Sequence, residues 1–231
     1  MNAPLALLRS SIGRKVIMAV TGVALFGFVL GHMAGNLQAF AGPTKLDEYG
    51  AALRRVPAVL WTFRLGLLAI AILHVWAAAS LTLTSRGARS RGYRALTPQD
   101  STYASRSMRI SGVVLLVFIV YHLLHLTLGS VHPDFVEGGV THNVVTGFSA
   151  LWVTGFYFLA MACLGLHLWH GVWSMTQTFG LAHPRYDALR ENAATAFTLF
   201  VVLGFLAVPV GVLAGLIQEA HPVAAQAAIA R

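Results

Sequence analysis

Residues 107–127, SMRISGVVLLVFIVYHLLHLT, decide the fold. After Arg109 the chain runs from Ile110 to Gly129 without a charged residue, and the run encloses two histidines, His122 and His125. About 20 apolar residues, rising about 1.5 Å each as a helix, match the roughly 30 Å of a bilayer's hydrocarbon core. A single segment in hydrocarbon satisfies its backbone internally only as a helix. Four similar runs flank this one, giving expected spans at about 16–40, 58–83, 110–129, 149–176 and 193–217. Each of the first four carries a histidine well inside it: His32, His74, His122 and His167. The fifth carries none, and Pro209 within it is expected to kink it.

Composition agrees with this placement. Of 231 residues, 57% are hydrophobic and only 10% charged, with a mean hydropathy of +0.70, whereas soluble domains carry about 25% charged residues. The predicted class is therefore an all-α integral membrane protein with five transmembrane helices, one domain over 1–231, with no soluble domain and no internal repeat. The first run is too long for a secretory signal and is read as a retained helix. One cysteine, Cys163, neither binds an iron–sulfur cluster nor closes an internal disulfide, and no C-x-x-C-H is present for covalent haem attachment. The formal charge of +8 sits mostly beside apolar runs, so topology explains it better than nucleic acid does.

Five spans put the termini on opposite sides. Arg9, Arg14, Lys15, the arginines of the second loop (Arg86, Arg89, Arg91, Arg94, Arg106, Arg109), Arg185 and Arg190 fall on one side. Only Lys45, Arg54, Arg55 and Arg231 fall outside the spans on the other. The positive-inside bias predicts a cytoplasmic amino terminus and an external carboxyl terminus in the inner membrane of a prokaryote. The segments AGPTKLDEYGAALRRVP and SVHPDFVEGGVTHNVVTG read as linkers, and the tail HPVAAQAAIAR as disordered or interfacial. Gly27, Gly31 and Gly35 form a small-residue ridge where another helix or a flat ligand can approach closely.

An imidazole in hydrocarbon is costly and calls for a partner that rewards its burial. Counting at about 1.5 Å per residue puts His74 and His167 each roughly 15 Å from the cytoplasmic edge, and His32 and His122 roughly 20–25 Å in. Two levels with two imidazoles each suit two haems stacked across the bilayer, His74 with His167 inside and His32 with His122 outside. Bis-imidazole ligation fills both axial positions and favours electron transfer over binding of oxygen. His122 and His125 share a helix face, as do His167 and His170, and spacing alone does not choose within either doublet. Arg64, in the outer half of the second span, is a candidate contact for a propionate or a quinone, or a residue that snorkels to the interface.

Several landmarks occur in order: GRKVIMAVTG, GHMAGN, LHVWAAASL, the 107–127 stretch, and LGLHLWHGVWSMTQTFG. With them the chain resembles the single-polypeptide, five-helix, dihaem cytochrome b anchor of succinate dehydrogenase or fumarate reductase. In that pattern the third-helix ligand follows a small-Gly pair by ten positions, here from Gly112 to His122. The fourth-helix ligand precedes a Gly-apolar-aromatic group by four, here His167 before Gly171-Val172-Trp173. His32 and His74 match directly, which leaves His125 and His170 as supporting or quinone-side residues. The resemblance implies two b-type haems in a bundle of helices one to four, and a quinone (menaquinone or ubiquinone) as electron partner. It also implies flavoprotein and iron–sulfur subunits on the cytoplasmic side. The basic second loop is the expected docking surface for them. The resemblance implies that succinate chemistry occurs on the flavoprotein, and this chain has no nucleotide-binding glycine fingerprint to hold a flavin itself.

Two other classes are considered: a dihaem anchor of a hydrogenase or formate dehydrogenase, and a histidine-using transporter. The first is usually a four-helix protein with other histidine placement. The second predicts interrupted helices and an inverted repeat, which are not seen. Relatives with a membrane carboxylate near the inner haem have it two residues before the ligand. Here that position is Gly165, and no Asp or Glu lies mid-span.

Overall fold

The computed structural model describes residues 10–87 and 103–219, and all regular structure among them is helical. Helix α1 (Ser11–Asn36) starts where Ser10 caps it, the hydroxyl accepting from the Gly13 N–H at 2.9 Å. A 3₁₀ turn, Leu37–Phe40, carries it to the far side of the bundle. There the short helix α2 (Lys45–Arg54) begins with Asp47 and Glu48 in its first turn, where acidic groups favour the helix dipole. Helix α3 (Pro57–Gly87) opens on proline, whose missing N–H costs nothing at a first helical position. Helix α4 (Tyr103–His122) runs into one wide π turn, Leu123–Thr127. A second short helix, α5 (Val140–Ser149), precedes α6 (Leu151–Thr178) and α7 (Asp187–Leu213).

Among the described residues five segments are long and apolar enough to cross a membrane: Ser11–Phe40, Pro57–Ser85, Ser107–Thr127, Leu151–Thr178 and Pro184–Leu213. They coincide with the expected spans to within a few residues except at the fifth. Hydropathy placed its start near 193, but the helix already includes Asp187, Arg190 and Glu191, since charged residues at a helix end cost little in water. It passes through Pro209 and stops at Leu213, with Gly215 at φ +70° turning the chain away. The two linkers are corrected as well: α2 and α5 are helices too short and too polar to register as spans. They lie at the same end of the bundle, where the Asp47 carboxylate accepts the Thr141 N–H at 2.8 Å and so caps α5. We call this the capped end. The opposite end, with Arg14, Lys15, Arg109 and Arg190, is the basic end. Arg89, Arg91 and Arg94 of the second loop, Arg9, and the tail from 221 lie outside the described residues.

The dense core joins α4, α6, α7 and the capped end, through Phe118, Phe148, Val153, Tyr157, Met161 and Val208. Helix α1 reaches it against α7, where Met33 fills the space over Gly204. Helix α3 packs extensively on α1 alone among the spanning helices. Its Phe63, Leu65, Leu68 and Ile72 are exposed, as lipid-facing residues of an isolated chain would be. Of the glycine ridge, only Gly35 is closely approached, by the Tyr49 ring of α2. A methyl at Gly27 or Gly31 would meet nothing within 4 Å, so neither belongs to a helix–helix seam.

Candidate functional site: two histidine pairs

The bundle brings the four histidines together two by two. At the capped end His32 of α1 faces His122, the last residue of α4, with ring centroids 5.8 Å apart and planes at 80°. Toward the basic end His74 of α3 faces His167 of α6 at 6.4 Å and 59°. Neither pair lies on two helices that pack extensively against each other. The rings meet across the space between helices.

That spacing can be tested against a shared metal. A ring nitrogen bonds a metal at about 2 Å and lies about 1 Å from its ring centre, so imidazoles facing each other through one metal stand about 6 Å apart. Both pairs meet this condition. Glycines give the basic-end rings room: Gly22 lies beside His74 and Gly112 beside His167, with an added Cβ at 3.5 and 3.8 Å from the respective Cε1 atoms.

Contacts outside each pair fix ring identity. The Thr21 hydroxyl gives its single proton to a carbonyl of its own helix, that of Ile17 at 2.7 Å, and stands 3.0 Å from His74 Nδ1. It therefore accepts from His74 Nδ1–H, and that tautomer leaves Nε2 with a free lone pair, as a metal-ligating histidine needs. His122 uses Nδ1 too, toward the Tyr157 hydroxyl at 3.1 Å. His32 differs, its Nε2 standing 3.3 Å from the Asn36 side-chain amide, a long contact. His167 Nδ1 is buried with no hydrogen-bond partner among the described residues.

The doublet partners sit apart from these pairs. His125, inside the π turn, is fully buried. Tyr121 stacks on it at 5.4 Å, His132 at 4.9 Å, and Gly147 of α5 closes the remaining side, so that an added Cβ there would come 2.8 Å from Cε1. The ring is thus enclosed by Tyr121, His132 and Gly147. Its Nδ1 stands 3.1 Å from the Tyr157 hydroxyl, and its Nε2 has no hydrogen-bond partner among the described residues. His170 is half-buried on α6 and takes no hydrogen bond among the described residues. Arg64 is exposed, its guanidinium 5.2 Å over the Trp61 ring, and among the described residues it makes no hydrogen bond to either pair.

Sequence reasoning missed Tyr157, Thr21, His132 and Asn143. A signal existed for Tyr157: it precedes His167 by ten residues, about 15 Å along one helix, and so stands at the level of the other pair. His132 and Asn143 organise the capped end. His132 Nε2–H donates to the Asn143 carbonyl at 2.9 Å, and the Asn143 side chain clasps both the N–H and the C=O of Val136 at 2.9 Å. At the basic end Arg190 locks α7 onto α6, stacked 4.2 Å over Trp173 and bonded to Thr176 Oγ1 at 2.7 Å.

Five apolar spans with two histidine pairs between them define a multi-pass membrane protein built around half-buried imidazoles. The profile of one family, described as succinate dehydrogenase/fumarate reductase transmembrane subunit, matches residues 84–207, and the chain belongs to that family. The matched segment contains His122, His125, His167 and His170, whereas His32 and His74 precede it. Comparisons with curated proteins and with solved structures gave no match.

Proposed function

We propose that this membrane subunit of succinate dehydrogenase/fumarate reductase is a dihaem cytochrome b that passes electrons between a cytoplasmic iron–sulfur subunit and a membrane quinone. The observation that carries the reading is the pairing: two couples of facing imidazoles, each at the separation that a single shared metal requires. Among the described residues no three His, Cys, Asp or Glu side chains converge on one point. Two imidazoles leave a bare metal ion short of ligands, whereas a macrocycle bringing four nitrogens of its own needs just two. His74 and His167 would hold one haem toward the basic end, and His32 and His122 the other toward the capped end.

When bound, each haem would supply a one-electron redox centre inside the hydrocarbon. The residues of the chain do the rest. Thr21 holds His74 with Nε2 unprotonated, and Tyr157 bonds His122 on the nitrogen that leaves Nε2 for a metal. The enclosing helices and the surrounding hydrocarbon would limit water around the pairs, which raises the cost of changing charge there. The enclosure of His125 supports His122 as the ligand of its doublet. With the basic end in the cytoplasm, the second-loop arginines would meet the peripheral subunits, and the basic-end haem would be the first to receive their electrons.

The test is anaerobic addition of succinate to the purified complex while the haem absorption is followed. Reduction of b-type haem, reversed by an added quinone, is expected. Haem that neither succinate nor quinol reduces would exclude the electron-transfer role.

A further inference from the structure

The Tyr157 hydroxyl stands 3.1 Å from His122 Nδ1 and 3.1 Å from His125 Nδ1. A hydroxyl has one proton to give, so of its two imidazole partners one must donate to it and the other accept from it. Within the chain alone the two directions are equivalent. Ligation removes the choice. If His122 bonds a metal through Nε2, its neutral ring carries the proton on Nδ1 and donates to Tyr157. Tyr157 must then donate to His125 Nδ1, and His125 must carry its own proton on Nε2. The direction of the whole chain is thus set at one end by the metal and held at the other by His125.

The rest of the capped end keeps this arrangement in place. His125 cannot swing away, because Tyr121 and His132 sandwich its ring and Gly147 abuts its edge. His132 takes no share in the chain, since its Nδ1 accepts the Asp134 N–H at 3.1 Å and its Nε2–H goes to the Asn143 carbonyl. The wide turn at Leu123–Thr127 directs His125 into this pocket, and such turns are frequent at functional sites. Tyr157 is itself buried, edge-on to Phe118 at 4.9 Å and to Phe148 at 4.8 Å, so its hydroxyl has no water to fall back on.

We infer that Tyr157 is the positioning residue of the capped-end haem, fixing the tautomer and ring orientation of His122, and that His125 acts through Tyr157 as its anchor. The inference rests on the two-haem reading above and adds a consequence to it. An acceptor on the outer N–H of a ligating imidazole makes that imidazole a stronger electron donor, which favours the oxidised metal. The hydroxyl accepts better because it also donates to His125, hydrogen bonds in a chain strengthening one another. Removing Tyr157's hydroxyl should therefore raise the midpoint potential of one haem only.

The experiment is a redox titration of the intact complex, with low-spin haem signals followed by electron paramagnetic resonance, for the native chain and for Y157F, H125L and H125N. Y157F should retain both haems. The haem that is lost on replacing His122 should move to higher potential with an altered signal, and the other should be unchanged. H125L should move the same haem in the same direction by less. H125N should remain near the native chain, because its side-chain carbonyl can still accept from Tyr157. Unchanged potential and signal in Y157F, or equal shifts of both haems, would overturn the role given to Tyr157. A native complex without two haems, or a His122→Ala chain that keeps both, would instead overturn the two-haem reading beneath it.

Discussion

The two histidine pairs repeat one chemical unit in two different surroundings. At the capped end His122 is tied through Tyr157 to a third imidazole, which is enclosed by a fourth, and two short helices cover the whole. Toward the basic end, among the described residues, His74 has the hydroxyl of Thr21, and His167 has a buried nitrogen without a hydrogen-bond partner. The same pair of imidazoles therefore meets a rich hydrogen-bond shell on one side of the bundle and, among the described residues, a sparse one on the other. On the proposed two-haem reading, two centres passing electrons in sequence would gain from unlike environments, since hydrogen bonding to the ligands tunes a metal.

The comparison breaks most readily at the ligands. Replacing His32 or His122 by alanine should remove one haem from the purified complex, and replacing His74 or His167 should remove the other, as read from difference spectra. His125→Ala and His170→Ala should keep both, and loss of a haem in either would reverse the choice within that doublet. The next effect falls on the basic end. Thr21→Val deletes the partner of His74 and should weaken retention of that haem by about tenfold to a hundredfold, the usual cost of losing such support. Equal weakening of both haems would show that the pairs are not independent. At the capped end Gly147→Ala forces a methyl against His125, and overpacking of this kind costs about 1–3 kcal/mol. A lower thermal midpoint of the solubilised complex is expected, with the disturbance confined to the capped-end haem signal.

The smallest effect depends on pH. His142 of α5 stands 3.0 Å from Glu219 through Nδ1 and 3.3 Å from Asp134 through Nε2. The bond to Glu219, and then the nearby carboxylates, hold its pKa above the ordinary histidine value of 6.5. A raised folded-state pKa means that the stabilisation is fully present below the ordinary value and fades as pH rises through the raised one. Protection against hydrogen exchange at 214–219 should therefore fall between mildly acidic and alkaline pH, by a small factor because Glu219 is about half exposed. Protection that rose with pH would contradict the pairing.

Much of this architecture was legible in the sequence because hydrocarbon imposes simple rules. Long apolar runs must be helices, and four histidines at two depths could meet in only a few ways. Counting residues along oppositely directed helices placed His74 beside His167 and His32 beside His122 without a structure. Elements governed by tertiary contact were not legible. Helices α2 and α5 depend on caps and on each other, as Asp47 to the Thr141 N–H illustrates, and hydropathy sees neither. The wide turn that buries His125 leaves no mark in a run of leucines. Tyr157 looked like one more aromatic in an apolar span until its hydroxyl was found between two imidazoles.

The most direct test of the central claim is the haem content and axial ligation of the purified complex. Pyridine haemochrome analysis is expected to give two b-type haems per copy of this chain, with two distinct low-spin bis-imidazole signals in electron paramagnetic resonance. One haem or none, or a high-spin centre with an open axial position, would contradict it.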